Sequence, residues 1–163
     1  MKLLLIALFG LLAWVSTAAA QQPKAVKKPP FGIPSDAKFF NGKWYRVYTE
    51  KSPWRGAMQK CSSLGGQLAV VPDEATWTFI KALSAGAQLW LGATDEEVTG
   101  VWKWIDGTPF TFKAWGRDQP DNWHGVQHYL FILKGEWNDI QNDGKWISPD
   151  VHVVGFICEW KDK

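Results

Sequence analysis

Within residues 116–128, GRDQPDNWHGVQH, an amide, a proline, a carboxylate, a second amide and an indole follow one another as Gln119, Pro120, Asp121, Asn122 and Trp123. Little in this stretch is apolar enough to bury. Carboxylate and amide oxygens suit a hard cation, amides exchange hydrogen bonds with hydroxyls in both directions, and an indole offers an aromatic face. An exposed turn would use the same residue types. Nearby, His124 and His128 stand four apart, a spacing that sets two imidazoles on one helix face for zinc. Gly125 between them, Pro120 before and the β-type run YLFIL after argue against a helix. The pair is therefore expected to face solvent, and His152 in DVHVV reads as a strand-edge residue. No activated serine arrangement or phosphate loop is present, so catalysis is not expected.

The elements that must hold these residues can be read from the rest of the chain. Met1-Lys2, an apolar run over 3–14 and Ala18-Ala19-Ala20 form the pattern of a secretory signal peptide, 1–20. The run is shorter than the roughly 20 apolar residues that span a bilayer. A secreted chain without a transmembrane segment in its mature part is expected. Residues 21–35, rich in proline and lysine, read as an extended tether. From 36 to 163 remain 128 residues, enough for one domain, with 14 basic and 16 acidic side chains and a net charge of −2. The overall charge of +2 thus belongs to the leader and tether, and nucleic acid is not an expected partner.

Two cysteines, Cys61 and Cys158, lie in the exported part. In an oxidising compartment they are expected to form one bridge, worth about 4 kcal/mol in loop entropy. Twelve tryptophans occur in the chain, and most must be core because an indole buries a large area. FFNGKWYRVY, residues 39–48, predicts an opening strand at an Asn-Gly turn. Ser52 and Pro53 predict the start of a helix that runs to about Leu64 and stops at Gly65-Gly66. LAVV, residues 68–71, is a short apolar run leading to Asp73, which can cap a second helix. Trp77, Ile80 and Leu83 stand at helical spacing there, and Gly86 ends it. From Leu89 the runs WLGA, VWKW, FTF, YLFIL and VVGFICEW read as strands. Helices first and strands afterwards make an α+β chain.

WLGA (90–93), GVWKWIDGTPFTFKAW (100–115), QPDNW (119–123), WND (137–139) and GFICE (155–159) together resemble the C-type lectin-like domain family, in order and spacing, over most of residues 39–160. The resemblance implies a looped antiparallel β-sheet domain flanked by two helices, with Cys61 and Cys158 in the places of the family's long bridge. It implies a calcium ion held by Gln119, Asp121, Asn138 and Asp139, with two sugar hydroxyls completing the shell and a cis proline between the loop ligands. Gln-Pro-Asp is the galactose-type form of the loop, and Trp123 stands where an indole packs on the sugar's apolar face. Calcium takes about six to eight oxygen ligands, and these four residues offer amide and carboxylate oxygens from two segments.

The chain departs from the family pattern in three places. Gln127 stands where an acid is expected, which leaves two carboxylates and predicts weak calcium binding. Asp118 or Glu136 could compensate. A second bridge is missing at both ends, where Tyr129 and Asn142 stand, so the loop must be held by packing, a cation or hydrogen bonds. Of a second calcium site only Asp95 is in place, Thr99 standing for another acid, and that site is expected to be empty. The function implied is secreted recognition of glycans or glycoproteins bearing galactose or N-acetylgalactosamine. The alternative is an interaction module of the same fold that binds no sugar and has a degenerate calcium site. An oligomer, which would multiply a weak site by avidity, is left open.

Overall fold

The computed structural model describes residues 27–145, 151 and 153–162. The signal peptide, the first part of the tether and His152 lie outside them. The chain runs β1 (Lys38–Phe40), β2 (Lys43–Tyr48), α1 (Trp54–Ser63), β3 (Gln67–Leu68), α2 (Glu74–Ser84), β4 (Leu89–Thr94), β5 (Lys103–Trp104), β6 (Tyr129–Leu133), β7 (Glu136–Ile140) and β8 (Gly155–Lys161). Among the described residues no helix is long and apolar enough to cross a membrane.

The sheet order is β1-β2-β8-β4-β6-β7, with β3 added to β8 and β5 to β4. The resemblance implied an antiparallel sheet, but β4 and β8 pair in parallel, so the sheet is mixed. Gly155 starts β8 where the backbone of Tyr48 passes so close that a Cβ would lie 2.0 Å from its carbonyl oxygen. No larger residue fits there. Cys61 on α1 and Cys158 on β8 are disulfide-bonded, with Cα atoms 5.4 Å apart. The bridge fastens the first helix to the strand that β2, β3 and β4 all join.

The second helix forms as its sequence dictates. Asp73 accepts a hydrogen bond from the Thr76 N–H at 2.7 Å, satisfying one of the orphan donors of the first turn. Trp77 and Ile80 are buried, and Leu83 is partly buried. The left-handed turn that ends it begins at Ala85, one residue before Gly86.

The first helix ends as expected, with Leu64 as its cap and Gly65 left-handed, but differs from expectation at its start. Pro53 is not its first residue but its cap, extended at ψ 154°, and no side chain caps from within. Ser52 donates its hydroxyl to the Pro53 carbonyl instead. The free N–H groups are met from across the chain: Trp54 donates to the Asn142 carbonyl at 2.8 Å and Arg55 to Asn142 Oδ1 at 3.2 Å. Tyr129, at the other place of the missing bridge, packs its ring on Trp54 at 5.0 Å. Both positions thus act on Trp54 without a covalent bond.

One strand expectation also changes. FTF is not a strand: Phe110 and Phe112 turn onto Trp137, with centroids 5.7 and 5.6 Å from it. WND, whose polar residues disfavour strand, lies in β7 and pairs along the whole of β6. The tether packs in part. Ile33 is buried in the core, and Lys27 forms an ion pair with Asp162. The packed structure therefore begins ahead of residue 36.

Candidate ligand-binding site

Strand β7 carries Asn138 and Asp139, set opposite Phe131 and Leu130 of β6. The root of the long loop is pinned to the same strand. Trp115 bridges to Trp137, whose N–H donates to the Ala114 carbonyl at 2.8 Å, and the Gly116 N–H returns to the Trp137 carbonyl at 2.8 Å. The Trp137 indole is enclosed by Trp77, Trp104, Phe110, Phe112 and Trp115. This aromatic packing holds the loop in place of the absent second disulfide.

From that root the chain turns through left-handed residues at Asp118, Asn122 and His124, and the Gln119–Pro120 bond is cis. Asp139, fully buried, holds the loop tip. Its two oxygens accept from the Asp121 N–H at 3.2 Å and the Asn122 N–H at 2.8 Å. Burial pushes the Asp139 carboxyl up to about 6, against the pull of the Asn122 and Asp121 N–H groups and with the help of the Asp121 charge. A buried carboxylate beside a second one is a group that gains from a nearby cation.

Two amide oxygens point to the same need. Gln119 Oε1 and Asn138 Oδ1 are both buried without a hydrogen-bond partner among the described residues. Such atoms cost free energy unless something meets them. With the carboxylates of Asp121 and Asp139 they offer oxygen donors of the kind a hard cation takes, so the donor types suit calcium. The four residues contain only two carboxylates, and among the described residues no group of three or more His, Cys, Asp or Glu could hold a metal.

Gln127 is 5% exposed and serves the loop. Its Oε1 accepts from the Trp123 N–H at 2.9 Å, and its own N–H donates to Asn122 Oδ1 at 3.0 Å. The Trp123 N–H also approaches Asp121 Oδ1, at 3.2 Å. Held at its backbone, Trp123 presents a side chain that is 44% exposed, with His124 edge-on at 5.0 Å. It is not a core tryptophan. His128 turns elsewhere, its Nδ1 lying 2.9 Å from Asp95 Oδ1, while Asp95 Oδ2 accepts from the Gly100 N–H. Asp95, the remaining acid of a second calcium site, is thus engaged by the protein itself.

The Lectin C-type domain model matches residues 50–159. The chain belongs to the C-type lectin domain family. It is 33% identical over 138 residues to C-type lectin domain family 4 member F of Mus musculus, a match that takes in 80% of this chain and 25% of that protein. To asialoglycoprotein receptor 1 of the same species it is 33% identical over 110 residues, 61% of this chain and 37% of the receptor. The chain therefore spans well under half the length of these relatives. Among solved structures it superposes on the mouse scavenger receptor C-type lectin carbohydrate-recognition domain with a TM-score of 0.69 at 32% identity, covering 80% of this chain and 98% of that one. These relatives are C-type lectins, non-enzymatic carbohydrate-binding proteins, and such domains are generally calcium-dependent.

Two parts of this C-type lectin domain escaped sequence reasoning. The bracing of Trp123 by Gln127 left no signal, because a glutamine can face solvent or backbone equally. The cap that Asn142 places on α1 is a contact across 87 residues. Asn122 was readable in principle, since asparagine two residues past a proline tolerates the left-handed turn it adopts here.

Proposed function

We propose that this domain is a secreted, calcium-dependent binder of galactose- and N-acetylgalactosamine-type sugars. The observation that carries the reading is the pair of buried, unpartnered oxygens, Gln119 Oε1 and Asn138 Oδ1, on the loop and strand that also carry the buried Asp139 and the exposed Trp123. The Gln-Pro-Asp order, the signal-like leader and the relatives named asialoglycoprotein receptor 1 and carbohydrate-recognition domain support it. Gln119, Asp121, Asn138 and Asp139 would hold calcium, which when bound offers open positions to two adjacent sugar hydroxyls. The protein groups do the rest. The amide N–H₂ groups of Gln119 and Asn138 donate to hydroxyl oxygens, and the Asp121 carboxylate accepts from hydroxyl protons. Trp123 covers the sugar's C–H face. The non-sugar interaction module remains the second reading, favoured by the absence of an acid at Gln127, whose side chain is committed to the loop.

Trp123→Ala separates the two. Its indole is exposed, so removal should leave the melting temperature within about three degrees, surface changes being within about 0.5 kcal/mol. Galactose or N-acetylgalactosamine binding should weaken by about 1–2 kcal/mol through lost aromatic contact. The paired exchange Gln119→Glu with Asp121→Asn should move preference toward mannose. A folded Trp123→Ala protein that binds galactosides as the wild type does would remove the stacking role.

A further inference from the structure

Beside the loop lies a cleft of about 530 Å³ walled by Trp102, Phe110, Lys113 and Trp115 and ending on Gln119 and Pro120. Its volume falls within the range of small-molecule sites. The aromatic wall is one packed unit: Trp102 meets Trp115 edge-on at 4.8 Å, and Phe110 stands 6.2 Å from each. That unit rests on Trp137 through Phe110 and Trp115, so the cleft is preformed and fixed to the strand that bears Asn138 and Asp139. Lys113 is the one charged residue of its lining. It is exposed and makes no ion pair among the described residues.

Aromatic walls with one ammonium group and no carboxylate match a particular ligand chemistry. A pyranose ring can lay its C–H face on the indoles, and Lys113 can meet an anion as a compact point charge. Gln119 belongs both to this cleft and to the proposed sugar site, so the two are contiguous. We infer that the cleft is a second subsite, taking the next unit of a galactose-containing glycan when that unit carries a sulfate or carboxylate. The inference rests on the galactose reading of the loop.

The test is calorimetry on the protein in calcium at low ionic strength, with lactose, lactose sulfated at O6 of its glucose and 6′-sialyllactose, which all leave the galactose 3- and 4-hydroxyls free, for wild type and Lys113→Gln. One or both anionic sugars should bind wild type about threefold to fivefold more tightly than lactose, the reach of one exposed ion pair. Which of them does so tells sulfate from carboxylate. That preference should vanish in Lys113→Gln and in about 1 M salt, with lactose affinity and melting temperature unchanged. Equal affinity for all three sugars, or a preference that survives Lys113→Gln, overturns the subsite and leaves the galactose reading standing. Lysine-dependent binding of an anionic sugar without any lactose binding keeps the subsite and overturns the galactose reading. No binding of any sugar overturns both.

Discussion

Asp139→Asn is expected to abolish the stabilisation that calcium gives the wild-type domain and to bring galactose binding below detection. Asp139 is fully buried, and its oxygens hold the N–H groups of Asp121 and Asn122, so it orders the loop that carries two other proposed ligands. At a calcium concentration about a hundred times the dissociation constant, wild type should gain about 2.7 kcal/mol of stability, and the variant none. The pH dependence has a definite sign. With the folded carboxyl raised by burial to about 6 from its ordinary 3.8, the folded state binds the proton more tightly than the unfolded one. Without calcium, the stabilisation from protonated Asp139 is fully present below its ordinary value and is lost as pH rises through about 6. Calcium favours the ionised form, so its effect should appear as pH rises through the same range and fade below it. In chelator at pH 7, Asp139→Asn removes a buried charge but sets its NH₂ against one of the two loop N–H groups, so it should lose one hydrogen bond and melt only slightly below wild type, by about 1 kcal/mol. Melting curves of both proteins from pH 5 to 8, with calcium and with chelator, check all of this. A variant that melts far below wild type in chelator would make Asp139 a structural residue instead.

Removal of the disulfide should produce the largest change in stability. Cys61 and Cys158 close a loop of 97 residues, for which chain entropy alone gives about 4–5 kcal/mol. A domain with roughly 5–15 kcal/mol in total would lose a large share of it. Cys61→Ala with Cys158→Ala leaves only small cavities, so the loss should come chiefly from the freed unfolded chain. Urea unfolding of the double variant should shift its midpoint down and steepen its slope, because the uncrosslinked unfolded chain exposes more surface. A difference below about 1 kcal/mol would mean that the sheet and the Trp137 cluster hold the domain without the bridge.

The parts of the fold that were legible are those fixed by local chemistry. Asp73 and the spacing of Trp77 and Ile80 define α2, and WLGA, YLFIL and GFICE are apolar enough to be recognised as buried strands. The bridge was legible from two cysteines behind a signal-like leader. Contacts across the chain were not legible. α1 takes its cap from Asn142 rather than Ser52, a choice that depends on where β7 ends. Asn138 and Asp139 sit in a strand despite poor strand propensity, because pairing with β6 and the enclosed Trp137 outweigh local preference. At the loop, the residue types announced their chemistry, but only burial distinguishes Trp123, exposed, from Trp137, enclosed. Gln127 read as a missing acid, whereas its carbonyl oxygen closes the loop on the Trp123 N–H.

The most direct test of the central reading is calorimetric titration of galactose into the domain, first in millimolar calcium and then after chelation. The reading predicts saturable binding in calcium, none in chelator, and full recovery when calcium is restored. A folded domain that takes up no galactose in calcium, or takes it up equally in chelator, would contradict it.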